Sequence, residues 1–139
     1  MSVITNGDER TKLAGDWQGA MRMRERLQKH DSSPSAGHAA VSPQEAIYNL
    51  PLVLAFDVLR SALRAIKKEG RFSSEGNGLG SLMKAAEGAI PWIDYKALRK
   101  GAKRRNAVAR DGELFPAAVC LRDIENVSEQ LHAWGIGQS

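Results

Sequence analysis

The sequence predicts an all-α fold: an antiparallel bundle of four to five helices with an N-terminal helical arm. Three observations carry that prediction. Apolar residues recur at spacings of three and four along most of the chain, which is the repeat of one helix face. No segment alternates apolar and polar residues over a strand's length, and β-branched residues do not cluster. Stretches rich in Ser, Pro and Gly cut the periodic segments into lengths typical of globular helices.

The first helix is expected from about Asp8 to His30, with Leu13, Trp17, Ala20, Met21, Arg24 and Leu27 as a weak stripe interrupted by Gly15 and Gly19. Such a helix needs a partner surface to be stable. "KHDSSPSAGHAAVSP" then reads as a linker by composition. The expected division is therefore residues 1–41, helix and linker, and residues 42–139, the bundle. In "SPQE", Ser42 can cap, Pro43 suits the first helical position and Glu45 completes a capping box. Pro51 is expected to kink or restart this helix. Beyond it Leu52, Phe56, Leu59, Leu63 and Ile66 form a clear amphipathic stripe that should end near Gly70. After the turn "SSEGNG", Leu79, Leu82, Met83, Ala86 and Ile90 outline a short helix stopped by Pro91. Asp94 can cap the next helix, whose inner face reads Tyr95, Leu98, Ala102, Arg105 and Ala109. Cys120, Ile124, Val127, Leu131 and Trp134 make the last stripe, closed by Gly135.

At 139 residues and 15.2 kDa the chain has room for one domain plus an arm. The N-terminus lacks the apolar core of a signal peptide, and no apolar run is seen to approach the length of a membrane span. A single cysteine, Cys120, excludes an internal disulfide and points to a reducing cytoplasm; its place on a stripe makes it a core residue. No Cys/His cluster has zinc spacing, no paired carboxylates suggest a metal, and "GNGLG" lacks the Lys-Ser/Thr ending of a phosphate loop, so no cofactor is expected. His30 and His38 read as solvated residues in or beside the linker, and His132 as a surface or capping residue.

The informative segment is "KRRNAVARDGELFP". The formal net charge is +4, and it is unevenly spread. Lys96, Arg99, Lys100, Lys103, Arg104, Arg105 and Arg110 follow one another with no acid among them, a field that favours anionic partners, nucleic acid first. Arg105 also falls where the helical repeat asks for an apolar residue. A charge on a buried stripe is costly unless it is paired or lines a cleft.

A long striped helix ("LPLVLAFDVLRSALRAIKKEG"), a short one ("LGSLMKAAEGAIP"), a helix carrying Arg-Asn and a long closing helix together resemble the HEPN superfamily of small helical bundles over Ser42 to Ile136. The family's motif is an arginine followed by a polar residue, with a histidine several residues on. Arg105 and Asn106 match its first two positions; the place of the histidine is taken by "AVARDG", with Arg110 as the first candidate. The resemblance implies a homodimer in which two motifs meet and cleave RNA without metal, in a toxin–antitoxin or defence setting. Arg105 would hold phosphate, Asn106 would shape the site, Arg110 would be an auxiliary cation, and Lys103 and Arg104 would steer the RNA backbone by charge. Arginine stays protonated where histidine exchanges a proton near neutrality, so Arg110 cannot act as a general base. The expectation is an RNA-binding relative with weakened or lost ribonuclease activity.

Two other readings stand beside it. In one, the chain is a protein-interaction or scaffold module, antitoxin-like or regulatory, that docks a partner protein through the N-terminal helix with Trp17, Met21 and Leu27 as anchors. In the other, Arg105 pairs with an acid such as Glu87 or Asp123 and serves packing alone. Asp111 is a further candidate partner for Arg105 or Arg110.

Overall fold

A computed structural model describes residues 7–30 and 43–136, with side chains described for residues 7–22 and 44–136. Residues 31–42 of the expected linker, with the Ser42 cap and His38, lie outside the described residues, as does the side chain of Leu27. The described elements are α1 (Gly7–His30), α2 (Pro43–Ala46), α3 (Asn49–Lys68), α4 (Leu79–Ala86), α5 (Tyr95–Asp111) and α6 (Ala117–Ala133), with no strand among the described residues. The fold is an all-α bundle, as the helical spacing predicts.

Helix α3 is its axis and packs against α1, α4, α5 and α6. The stripe Leu52, Phe56, Leu59, Leu63 and Ile66 is wholly buried, and the flanking Ala55 and Ala62 let neighbours approach on both sides. Each such Leu or Phe contributes about 1.5–3 kcal/mol by leaving water. Pro51 explains the register: α2 is a single turn, the chain breaks at Ile47 and Tyr48, and α3 restarts at Asn49. Pro51 then falls in the first turn, where no helical bond needs its missing N–H. The segment Gln44–Lys68 is long and apolar enough to cross a membrane by length and mean hydropathy (1.4), contrary to the expectation that no run approaches this. Its apolar side chains are used in the bundle, where 56% of that window is buried.

The N-terminal helix is not a separate arm. Leu13, Trp17 and Ala20 are 2, 4 and 4% exposed and face α3, with Met21 packed at the edge of the same core. A weakly amphipathic helix finds here the partner surface it needs. Trp17 is thus spent within the chain and is not available as an anchor for another protein.

Helix α6 buries Cys120, Ile124, Val127, Leu131 and Trp134 completely, as its spacing predicts. Helix α5 starts where expected, with Asp94 Oδ1 accepting from the Ala97 N–H at 3.1 Å. Its inner face is Leu98, Gly101 and Ala102, with Val108 rather than Ala109 at the far end. Gly101 sets the distance to α3, because a Cβ there would stand 2.6 Å from Phe56 Cζ.

Two buried amides hold the loops around α5. Asn49 Nδ2 donates to the Phe115 carbonyl, and its Oδ1 accepts from the Phe115 N–H, both at 3.0 Å. The start of α3 is thereby tied to the chain just beyond α5, so the two helices run antiparallel. Gln130 Oε1 accepts from the Ile93 N–H at 2.8 Å, while Trp134 Nε1 donates to the Pro91 carbonyl at 2.8 Å. Trp92 packs edge-on between Tyr95 and Trp134.

Candidate functional site

Successive residues on an α-helix diverge by roughly 100°, since a turn takes about 3.6 residues. Arg104 and Arg105 are therefore sent to opposite sides of the buried face of α5, and their fates differ. Arg104 turns toward α6: its Nε and Nη2 donate to the two carboxylate oxygens of Asp123 at 2.6 and 2.7 Å. Asp123 is 1% exposed, and this fork is its counter-charge. The hydrogen bond with Asp123 raises the guanidinium pKa further above its ordinary range. Arg104 is consequently a structural ion-pair residue, not the backbone-steering residue expected of it.

Arg105 turns toward α3. Its Nη2 donates to Asp57 Oδ1 at 2.6 Å and its Nη1 to Asn106 Oδ1 at 3.0 Å, while the buried Nε–H has no acceptor. Asp57 is about half exposed (46%), so this pair sits at the surface edge of the bundle. The partners named from sequence, Glu87, Asp123 and Asp111, are not the ones used; Asp57 is.

Arg105, Asn106 and Arg110 line one cleft of about 420 Å³ with Arg60 of α3 and the opening of α4, Gly78 to Ser81. Arg60 is held there by its Nε–H, which donates to the Asn77 carbonyl at 2.8 Å. Helix α4 begins at an extended Gly78 with no side-chain cap, so the first N–H groups of the helix lack helical partners on this wall. Arg99 donates to the Gly80 carbonyl at 3.4 Å and ties α5 to the same turn. Arg110 reaches the cleft from the last turn of α5, which ends at Gly112 with φ +68°, a conformation glycine adopts without strain. Lys103 is exposed on the outer side of α5 and does not line the cleft.

Three of the five residues expected at the site thus come together, namely Arg105, Asn106 and Arg110. Sequence reading missed Arg60 and Ser81. Arg60 lies off the apolar stripe of α3, which marks it as outward-facing, yet nothing local links it to a residue on α5. The glycines of "GNGLG" were a partial signal: they open α4 at the cleft without the lysine of a phosphate loop.

Chemically the cleft offers three guanidinium groups, an amide, a hydroxyl and a helix N-terminus, against one nearby carboxylate, Asp57. Groups of these kinds are the ones that bind oxyanions by charge-assisted hydrogen bonds in general. It holds no histidine, and the described histidine side chain, His132, lies elsewhere, at the end of α6. Cys120 is not a nucleophile here: burial pushes its thiol up to about 12. Comparison with family models, with curated proteins and with solved structures finds no match to the chain.

Proposed function

We propose that the chain is a HEPN-like homodimer that binds RNA through the Arg60–Arg105–Arg110 cleft, with RNA cleavage weak or lost. The observation that supports this is the convergence of three arginines, Asn106 and the uncapped start of α4 on one concave surface. Arg105 and Arg110 grip phosphate oxygens, Asn106 orients Arg105 through its side-chain oxygen, and Arg60 contributes a cation from the neighbouring helix. No histidine lines the cleft, so cleavage by a 2′-hydroxyl would lack the general base that the motif histidine supplies. A cytoplasmic setting and a toxin–antitoxin or defence role go with this reading.

Dimerisation finds support in exposed apolar residues around the start of α3 and in the loop after α5. Ile47, Leu50 and Leu114 are 40, 55 and 51% exposed, and Leu50 and Leu114 adjoin the Asn49–Phe115 hydrogen bonds at the C-terminal end of α5. The scaffold alternative, docking a partner through the N-terminal helix, is less favoured because the apolar face of α1 is already packed on α3.

The test measures binding and cleavage of labelled RNA in EDTA buffer for the wild-type chain and for Arg105→Ala. The expected result is wild-type binding that falls at least tenfold in the variant, with little cleavage by either. Equal affinity in both would overturn the reading. Rapid wild-type cleavage would overturn the loss of catalysis and leave the binding assignment in place.

A further inference from the structure

A second basic cleft adjoins the first, and the sequence motif does not reach it. It lies between α1 and α3, has a volume of about 470 Å³, and carries Lys12, Arg64, Lys67 and Lys68 against a single acid, Glu9. We propose that the two clefts form one continuous track that holds the phosphodiester backbone of a single-stranded nucleic acid across several nucleotides. This rests on the anion-binding reading of the Arg105 cleft and extends it to a length and class of ligand.

Four features of the track argue for it. First, Asn77 seats cations of both clefts at once. Its carbonyl accepts from Arg60 Nε at 2.8 Å and its Oδ1 accepts from Lys67 Nζ at 3.1 Å, and the next residue, Gly78, lines the first cleft. The two concave surfaces therefore meet at residues 77 and 78.

Second, Arg60, Arg64, Lys67 and Lys68 lie on one face of α3. An i to i+4 step advances about 6 Å along the axis, so the cations form a line and not a point cluster. A flexible strand matches such a line by adjusting its torsions, whereas duplex phosphates follow a fixed helical path on a convex surface.

Third, the charge is concentrated. The two clefts hold seven basic side chains against Glu9 and Asp57, a net +5, which exceeds the +4 of the whole chain. The remaining residues sum to nearly zero formal charge, so the net positive charge of the chain is carried by this track.

Fourth, no aromatic side chain lines either cleft. The groups the clefts offer are cations suited to phosphates, so the track reads backbone and tolerates sequence.

The experiment is fluorescence anisotropy on the full chain with oligouridylates of about 3 and about 12 nucleotides, the matching oligothymidylate, and a duplex of the longer length. Titrations run from about 50 to 200 mM salt, for wild type, Arg105→Ala and the double variant Arg64→Gln/Lys67→Gln. Melting followed by tryptophan fluorescence shows that each variant is folded.

The expected result is tight wild-type binding of the long strand, with RNA and DNA within a few-fold of one another and the duplex at least tenfold weaker. The Arg64→Gln/Lys67→Gln variant loses about tenfold on the long strand and almost nothing on the short one. Its log–log salt slope flattens by about 1.4, since each phosphate neutralised on a single strand contributes about 0.7.

An unchanged affinity and slope in that variant, while Arg105→Ala still weakens binding, would overturn the track and leave the Arg105 cleft standing. A duplex bound as tightly as the single strand would overturn the single-strand assignment. Absence of wild-type binding to every probe would overturn the track together with the reading beneath it.

Discussion

Replacing Arg104 by alanine is expected to unfold this protein far more readily than the same change at Arg105, one residue away. The contrast follows from what each substitution strands. Asp123 is 1% exposed and takes both of its short hydrogen bonds, 2.6 and 2.7 Å, from Arg104. Removing one member of a buried pair costs about 3–5 kcal/mol, most of it the uncompensated group left behind. Arg104 is itself 29% exposed, which favours the lower end, about 3 kcal/mol. Arg105→Ala strands Asp57, which is 46% exposed and regains water, so about 0.5–1 kcal/mol is expected. For a chain of this size 1 kcal/mol shifts Tm by about 3–4 °C, giving losses of about 10 °C and about 3 °C. The Arg104 guanidinium pKa is raised, so its contribution holds from neutral pH up to the guanidinium range and is lost above it; the difference should not vary between neutral and mildly alkaline buffer. Thermal and urea melts followed by circular dichroism measure both variants. Melting points within about 2 °C of one another would refute the assignment of Arg104 to the buried pair. A control follows from the same argument: Arg104→Met with Asp123→Leu should recover most of the loss, because the stranded group is gone.

Three further outcomes can be checked by standard methods. Gly101→Ala places a Cβ 2.6 Å from Phe56 Cζ and 3.2 Å from Asp123 Cγ. Phe56 has no room to swing, so overpacking of about 1–3 kcal/mol should outweigh the gain of about 1 kcal/mol in helix propensity, seen as a lower urea midpoint with unchanged slope. Asn49→Ala removes both hydrogen bonds to Phe115 and should cost about 1–3 kcal/mol; amide exchange of the Phe115 N–H, otherwise protected, would speed up. Burial raises the Cys120 thiol from 9.0 to about 12, so the unfolded thiol ionises first as pH rises. Stability conferred by the protonated thiol is full below pH 9 and lost between pH 9 and 12, and Cys120→Ala should show a shallower alkaline decline in urea titrations.

Where sequence reading succeeded, the controlling physics was local. The stripes of α3 and α6 are legible because burial of one helix face forces a repeat of three and four, and every residue named in them is fully buried. The Asp94 cap and the helix ends at Gly70 and Gly135 depend on a few neighbouring residues, so they too were visible in advance. On α5 the same repeat was misread at one end. Val108, not Ala109, meets the core, because a stripe that mixes alanine with arginine leaves the facing direction weakly specified. The division at residue 41 rests on composition, which marks a linker but says nothing about whether the helix before it docks; Leu13 and Trp17 of that helix are buried.

By itself, then, the amino-acid sequence determined that this chain is helical, where most helices stop, which side chains fill the core, and that α5 carries unusual positive charge. These properties follow from periodicity, capping and composition, all of them short-range. Only the tertiary structure decided which arginine pairs with a buried acid and which lines the cleft beside a half-exposed one. The helix rotates Arg104 and Arg105 apart, but whether an acid waits on either side depends on how α6 and α3 pack, and so on Asp123 and Asp57. The same packing brings Arg60, Ser81 and Asn77 to the arginines of α5. A binding surface assembled from distant segments leaves no local pattern, because nothing in one helix's own stability requires it.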